Sequence, residues 1–142
     1  MRTFPPPPHP TPIPPPQVRG IDTVLTVSKD LEPPQFEGIN YVRIAVDDVD
    51  EEDLKTHFAT AQNIIHECVS SGRSILVHCY QGVSRSATCV VCYQMRQTGM
   101  TAAEALADIH SRRHAVNPNK GFRRQLLEYE ADIARESIAP LQ

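Results

Sequence analysis

Three short runs of apolar and β-branched residues constrain the fold of this chain most strongly. They cover residues 21–27, 41–46 and 74–78, and each has the length and composition of a strand. The third run is almost continuously apolar, which is typical of a strand buried in a parallel sheet. Segments with helical spacing also occur, at residues 50–72, 84–97 and 101–113 and from residue 119 onward. This alternation predicts an α/β fold, a three-layer domain with a central, mostly parallel sheet flanked by helices.

Residue types at the ends of these segments indicate where the helices begin. The acidic residues 51–53 supply the negative charge that a helix N-terminus favours, so the first helix is predicted to begin near Asp50. Thr101 and Glu104 have the spacing of a capping box, which predicts the start of a further helix. The last helix is predicted to begin at Asn119.

The distribution of proline separates a tail from the folded part. Nine of the 13 prolines lie within the first sixteen residues. Because proline has no amide donor and this tract has little apolar content, residues 1–19 are predicted to be a disordered tail. Residues 20–136 are predicted to form one domain, followed by a short tail at 137–142. The tract contains P-x-x-P, the pattern that SH3 and WW domains bind; an unstructured tail without a partner is the alternative.

Charge and hydropathy exclude several classes of function. The net charge is −3, and this mild acidity argues against nucleic acid as a partner. No apolar run approaches the roughly 20 residues that a membrane-spanning helix requires, so we expect no membrane partner. The N-terminus has no apolar stretch of the kind found in secretory signals, which predicts a cytoplasmic and/or nuclear location.

The four cysteines are Cys68, Cys79, Cys89 and Cys92, and in an intracellular protein they are expected to be free thiols. Cys89 and Cys92 have the C-x-x-C spacing of zinc and redox motifs. However, they lie in an apolar helical run, and no second pair of ligands has a suitable spacing. We therefore interpret them as core residues and predict no metal site.

Residues 78–86 lie where the third strand ends and a helix begins. Ligands of parallel sheets bind at that edge, and a loop that turns into a helix N-terminus directs backbone N–H groups into one concavity. Gly82 permits the turn, and Arg85 offers a two-pronged donor to a tetrahedral oxyanion such as phosphate. The segment predicts an anion-binding loop whose members are Tyr80, Gln81, Gly82, Val83, Ser84 and Arg85.

Cys79 is placed at the mouth of this loop. The N–H groups and Arg85 would stabilise its thiolate, and a thiolate that faces a bound phosphate can attack phosphorus to give a phosphocysteine. Ser86 could donate a hydrogen bond to the sulfur and help it to leave in a second step. The alternative is a buried cysteine at a strand end with a solvated arginine nearby.

The form H-C-x-x-G-x-S-R-S of residues 78–86 resembles the signature of the dual-specificity phosphatases, which belong to the cysteine-based protein tyrosine phosphatase superfamily. Residues 117–130 are similar to the family's C-terminal P-N-x-x-F-x-x-Q-L-x-x-Y-E helix, and residues 21–27 to its early strand. By this resemblance, residues 20–136 are a phosphatase catalytic domain of the small, atypical type. We expect a phosphatase-type fold that lacks the family's usual first N-terminal segment, because the proline tract occupies that position.

The resemblance implies hydrolysis of phosphotyrosine and phosphoserine/phosphothreonine monoesters through a phosphocysteine intermediate, without a metal or cofactor. A phosphorylated protein is the expected substrate, because the loop lacks the lysine that related enzymes use for inositol lipid head groups. In the family, the histidine at the position of His78 supports the nucleophile from behind. The alternative is a core histidine whose hydrogen bonds are satisfied. Both interpretations give His78 a structural role.

The reaction needs a general acid, because an alkoxide or phenoxide leaves poorly unless it is protonated. The family's acid follows a strand in an I-P-V-x-D context, and residues 44–48 match this pattern with Asp48 at the position of the acid. Asp47 would take its place if the register shifts by one residue. The alternative is that both belong to an acidic run that only caps a helix.

The sequence is also compatible with other functions. A phosphatase-fold module could bind phosphoproteins without turnover, if the altered N-terminal segment impairs the site. A rhodanese-like sulfur transferase also uses a cysteine in an anion loop, but residues 84–86 and the C-terminal motif argue against it. A basic cluster could attract acidic substrates or could simply be a solvated helix end. Its members are Arg112, Arg113, His114, Lys120, Arg123 and Arg124.

Overall fold

The computed structural model of the chain describes residues 20–137. Its elements are β1 (Thr23–Val27), β2 (Asn40–Ile44), a 3₁₀ turn (Lys55–His57), α1 (Phe58–Ser70), β3 (Ile75–His78), α2 (Arg85–Thr98), α3 (Ala102–Arg112) and α4 (Lys120–Ser137). The predicted tail at residues 1–19, with its P-x-x-P pattern, and all but the first residue of the tail at 137–142 lie outside the described residues. Within residues 20–137, no helix is both long and apolar enough to cross a membrane.

The three strands form a parallel sheet in the order β2-β1-β3. β1 is the central strand, and all five of its residues are buried. Because side chains alternate along a strand, Leu25 and Val27 face the helices and join the core, whereas Val24 and Thr26 face the other side of the sheet. The predicted α/β class and the parallel sheet are confirmed.

The first long helix begins later than the acidic run predicts. α1 starts at Phe58 and has no acidic residue in its first turn, so the predicted start near Asp50 is wrong. The cause is a contact from α4. The side-chain oxygen of Gln125 accepts hydrogen bonds from the backbone N–H groups of Leu54 and Lys55, at 2.8 and 2.7 Å, and its amide nitrogen donates to the Glu52 carbonyl at 2.8 Å. These contacts hold the preceding residues in an irregular segment.

The other predicted helix boundaries agree closely with the structure. α2 ends at Thr98 and is capped by Gly99, which adopts the left-handed conformation (φ +79°) that favours glycine. α3 opens with the predicted capping box between Thr101 and Glu104. α4 begins one residue after Asn119, whose side-chain oxygen accepts a hydrogen bond from the backbone N–H of Phe122 at 2.8 Å. Asn119 is therefore the N-cap of α4.

The core lies between the sheet and the helices, and α2 runs through its centre. Cys89 and Cys92 are fully buried in this core as free thiols, which confirms their interpretation as core residues. Phe58 of α1 packs edge-to-face on Tyr129 of α4, with ring centroids 5.1 Å apart. This aromatic pair joins the first and last helices of the domain.

Gly121, in the first turn of α4, is in direct contact with the irregular segment that follows β2. A Cβ atom at this position would overlap the backbone carbonyl oxygen of Asp50 and would lie 2.7 Å from its carbonyl carbon. Backbone atoms cannot rotate away as a flexible side chain can. The absence of a side chain at position 121 therefore allows α4 to pack closely on the segment that contains Asp48 and Asp50.

We predict that Gly121→Ala destabilises the domain, although alanine favours helix more than glycine does. The overlap with Asp50 should cost about 1–3 kcal/mol in the free energy of unfolding, as overpacking usually does. Denaturant unfolding monitored by circular dichroism would measure this cost. Arg124→Ala, at an exposed position of the same helix, is the matched control and should have little effect. A Gly121→Ala protein as stable as wild type would contradict the packing described.

Candidate active site

The predicted anion loop lies between the end of β3 and the start of α2. Cys79 directly follows the last residue of β3, and Arg85 is the first residue of α2. Gly82 has a φ of +67°, a left-handed conformation that a residue with a side chain adopts only at a cost. The loop thus turns back on itself above the carboxyl edge of the sheet, where parallel sheets bind ligands.

The thiol of Cys79 is buried, with 6% of the residue exposed, and its Sγ lies 3.1 Å from Oγ of Ser86. Burial by itself raises the pKa of this thiol. The Ser86 hydroxyl, the backbone N–H groups of Ser86 and Gly82 and the positive charge of Arg85 outweigh burial, so the pKa of Cys79 is lower than its ordinary value. The surroundings therefore favour a thiolate at this position.

The guanidinium of Arg85 is held from one side by the ends of two strands. Its Nη1 donates to the carbonyl of Val46, at 3.0 Å, and to the hydroxyl of Ser28, at 3.2 Å. Its Nε is buried and has no hydrogen-bond partner among residues 20–137. A buried N–H group without a partner is costly in a protein, and an oxyanion bound in the loop would satisfy it. The Arg85 side chain is thus oriented for an anionic ligand.

His78 faces the side of the sheet opposite the helices. Its Nε2 lies 2.8 Å from Oγ1 of Thr26, its register partner on β1. Burial and the positive charge of Arg43 lower the pKa of His78, which favours the neutral ring. The structure therefore gives His78 a satisfied hydrogen bond within the sheet, in keeping with a structural role.

Of the remaining loop residues, two are exposed at the rim of the loop and two attach the loop to the segment that precedes α4. Tyr80 is 73% exposed and Gln81 is also exposed, so both lie on the rim. Ser84 is buried, and its hydroxyl accepts a hydrogen bond from the backbone N–H of Asn119 at 2.9 Å. The Val83 carbonyl accepts another from the backbone N–H of Asn117 at 2.7 Å. Two hydrogen bonds thus join the loop to the segment that precedes α4.

The two candidate acids point to different partners. Oδ1 of Asp48 accepts a hydrogen bond from the side-chain amide of Asn119 at 2.9 Å, and Asp48 lines the same open cleft, of about 630 Å³, as Val83 and Ser84. Asp47 instead forms an ion pair with Lys29, with Nζ and Oδ2 3.7 Å apart. The structure therefore brings Asp48 to the side of the loop and directs Asp47 elsewhere.

The basic cluster is largely engaged in contacts within the domain. Arg123 donates to the Pro118 carbonyl and to the Asn117 side chain, and Arg112 pairs with Asp108 on its own helix. Arg113 is different, because its guanidinium rests on the loop: Nη2 lies 3.3 Å from the Gln81 carbonyl and would be 2.6 Å from a Cβ atom at Gly82. Gly82 therefore also makes room for Arg113.

Sequence reasoning missed two residues that support the site. Ser28 lies just after β1 and accepts hydrogen bonds from the Arg85 side chain and from the backbone of Leu31. Its position at the carboxyl end of a predicted strand was a usable signal, because ligands and their supports gather at that edge. The sequence places Asn119 at a helix start and in the family's C-terminal motif, but gives it no part in the site. Its contact with Asp48 spans 71 residues, and nothing in the local sequence indicates it.

No metal site accompanies these residues within the described part of the chain, where no group of three or more histidine, cysteine or acidic side chains could hold an ion. The two core cysteines are also poor ligands. Burial, followed by the nearby Cys79, raises the pKa of Cys89 to about 12, and burial raises the pKa of Cys92 as well.

Fold and site together define a class of protein. A cysteine and an arginine six residues apart, on a loop between a parallel strand and a helix N-terminus, are the arrangement of the cysteine-based phosphatases. The family model "Dual specificity phosphatase, catalytic domain" matches residues 9–132. The chain therefore belongs to the dual specificity phosphatase family, and the family that its motifs resemble is confirmed.

Individual relatives agree with this assignment. The chain is 42% identical to dual specificity protein phosphatase 1B of Arabidopsis thaliana over 114 residues, which are 80% of this chain and 68% of the relative. It is 44% identical to dual specificity protein phosphatase 15 of mouse over 96 residues, which are 68% of this chain and 41% of that relative. A crystal structure of a mouse dual specificity phosphatase complexed with zinc tungstate superposes with a TM-score of 0.80 at 35% identity, covering 88% of this chain and 79% of that one.

We predict that Ser86→Ala shifts the alkylation of Cys79 to higher pH. Without the Ser86 hydroxyl, the pKa of the thiol should rise, because the side-chain hydrogen bond that favours the thiolate is lost while burial remains. The pH dependence of iodoacetamide labelling, read at Cys79 by mass spectrometry, measures this shift. Ser70→Ala, at an exposed serine near the end of α1, is the control. An unchanged profile in Ser86→Ala would show that this contact does not stabilise the thiolate.

Proposed function

We propose that this chain is an active protein phosphatase that hydrolyses phosphotyrosine and phosphoserine/phosphothreonine monoesters through a phosphocysteine intermediate. The observation that carries the proposal is the convergence of donors in the loop. The buried Cys79 thiol receives hydrogen bonds and positive charge that favour the thiolate, and the buried Nε of Arg85 has no hydrogen-bond partner within residues 20–137.

In the first half of the reaction, the Cys79 thiolate attacks phosphorus and the bond from phosphorus to the ester oxygen breaks. Backbone N–H groups of residues 80–84 and the free edge of the Arg85 guanidinium bind the phosphoryl oxygens. Asp48 gives its proton to the leaving oxygen, so that tyrosine, serine or threonine departs as a neutral hydroxyl. Phosphate remains bonded to the Cys79 sulfur.

In the second half, water attacks the phosphocysteine and the sulfur–phosphorus bond breaks. Asp48, now a carboxylate, accepts a proton from the attacking water. The sulfur leaves as a thiolate, which the Ser86 hydroxyl stabilises from 3.1 Å. Inorganic phosphate leaves, and the site returns to its starting protonation state.

Two further observations support an oxyanion and a protein substrate. The mouse relative was crystallised with zinc tungstate, and tungstate, like phosphate, is a negatively charged tetrahedral oxyanion. Residues 79–86 contain no lysine, and Tyr80 presents an exposed aromatic ring at the rim of the loop. An aromatic rim suits a peptide segment better than it suits a highly charged head group.

We predict that the wild-type chain hydrolyses an activated aryl phosphate and that vanadate inhibits the reaction. Cys79→Ser should lower kcat by about 10³-fold or more, because the nucleophile is lost. A folded wild-type protein without vanadate-sensitive turnover would refute the enzyme and leave a module that binds phosphoproteins. Equal activity of both proteins would instead refute Cys79 as the nucleophile.

Asp48→Asn tests the general acid. We predict a loss of about 10²-fold or more with a phosphopeptide, whose leaving group needs a proton, and a much smaller loss with an aryl phosphate whose leaving group is already stable. The two kcat/KM values measure this difference. Asp47→Asn is the matched control, because Asp47 faces Lys29, and it should affect both substrates weakly. Equal slowing of both substrates by Asp48→Asn would count against the role.

A further inference from the structure

Asn119 makes hydrogen bonds to three separate parts of the site region. Its backbone N–H donates to Oγ of Ser84 in the loop, at 2.9 Å. Its side-chain oxygen accepts from the backbone N–H of Phe122, at 2.8 Å, and caps α4. Its side-chain amide donates to Oδ1 of Asp48, at 2.9 Å. One residue therefore joins the anion loop, a helix N-terminus and the candidate acid.

The chemistry of these partners fixes the orientation of the Asn119 amide. The backbone N–H of Phe122 can only donate, so it must face the amide oxygen. The NH₂ group is then left to face the Asp48 carboxylate, which can only accept when ionised. A flipped amide would place two donors together at Phe122 and two acceptors together at Asp48. The direction of the hydrogen bond to Asp48 follows from the helix cap.

Asn119 is also held rigidly with respect to the loop. Pro118 before it is fully buried, and the backbone N–H of Asn117 donates to the Val83 carbonyl at 2.7 Å. Asp48, in contrast, is exposed and lies in an irregular segment. Hydrogen bonds within this segment hold its backbone, from the Asp47 N–H to the Glu52 carboxylate at 2.6 Å and from the Glu52 N–H to the Val49 carbonyl at 3.1 Å. The Asn119 amide binds the Asp48 carboxylate itself, so a fixed donor acts on the group that would carry the proton.

We propose that Asn119 is the positioning residue for the general acid, holding Asp48 at a fixed place beside the anion loop through its side-chain amide. This inference rests on the function proposed above. Because the amide binds Oδ1, the proton of the acid is carried on Oδ2 and is transferred from there to the leaving oxygen. The Asp48 carboxylate that remains then accepts a charge-assisted hydrogen bond from Asn119, which is stronger than the bond to the neutral acid.

Other charged groups near Asp48 define the background for a test. Asp50 lies on the same segment, and Lys120 and Arg123 of α4 line the same cleft. Asp47, the neighbour in sequence, is paired with Lys29. None of these groups changes in the variants below, so the differences between variants report on position 119.

The main experiment uses Asn119→Asp, which keeps an oxygen to cap α4 but replaces the donor with a second carboxylate. We expect kcat/KM for a phosphopeptide to fall about 10- to 100-fold, the loss of one charge-assisted hydrogen bond, with a much smaller loss for the activated aryl phosphate. Since the added charge disfavours ionisation of Asp48, the basic limb of the phosphopeptide pH–rate profile should also move to higher pH. Asn119→Ser caps without donating to Asp48 or adding charge. It should show the substrate difference, and its basic limb should move to higher pH by less than that of Asn119→Asp, because only the hydrogen bond that favours the carboxylate is lost.

The matched control is Asn63→Asp, which makes the same charge change at an exposed position of α1, away from the residues that line the cleft. It should leave both the substrate difference and the basic limb of the pH–rate profile close to wild type. Equal slowing of both substrates by Asn119→Asp with an unmoved limb, or a substrate difference and a moved limb in Asn63→Asp, would overturn the proposal.

A measurement without turnover separates this inference from the proposed function. In the Cys79→Ser protein, the side-chain NH₂ signals of Asn119 can be followed by NMR as the pH is varied. They should titrate with Asp48 and should lose this titration in Cys79→Ser/Asp48→Asn. If wild type is inactive while these signals behave as expected, the proposed function fails and the contact stands. Signals that do not change with pH would refute the contact itself, whether or not the chain is active.

Discussion

The hydrogen bonds of Arg85 connect the anion loop to the ends of two neighbouring strands. A single guanidinium nitrogen, Nη1, donates to one acceptor after each strand. Val46 follows β2, Ser28 follows β1, and Arg85 itself opens the helix after β3. These segments can meet because the three strands are parallel and end at the same edge of the sheet. If β1 or β2 ran antiparallel to β3, the segment that follows it would lie at the opposite edge, away from Arg85. The parallel sheet is therefore a requirement of the site as well as of the core.

The cysteines show how local surroundings decide the chemistry of a thiol. Burial acts to raise the pKa of both the Cys79 thiol and the Cys89 thiol, and the pKa of Cys89 rises to about 12. At Cys79, the Ser86 hydroxyl and N–H groups of the loop reverse the effect. Cys89 lies inside α2, where backbone N–H groups are used within the helix and none is free for a sulfur. Reactivity is thus expected at the loop and not in the core, although both thiols are buried.

Periodicity and motif were sufficient for the strands, most helix boundaries and the position of the loop between β3 and α2, because each depends on residues close in sequence. The start of α1 was predicted wrongly, since Gln125 binds the N–H groups of residues 54–55 from 70 residues away. The choice between Asp47 and Asp48 likewise depends on distant partners, Lys29 for one and Asn119 for the other. The family pattern points to Asp48 as the candidate acid, whereas its hydrogen bond to Asn119 is visible only in three dimensions.

The motif at the start of α4 can be understood from these long-range contacts. Asn119 binds Asp48, Gly121 allows the helix to touch the backbone of Asp50, and Gln125 binds the backbone of residues 52–55. Gly121 and Gln125 are four residues apart, so they share one face of the helix. Phe122 in the same motif enters the core instead. A segment about 40 residues beyond Cys79 in sequence thus supports the candidate acid, because its side chains bind both the Asp48 carboxylate and the backbone of the irregular segment that carries it.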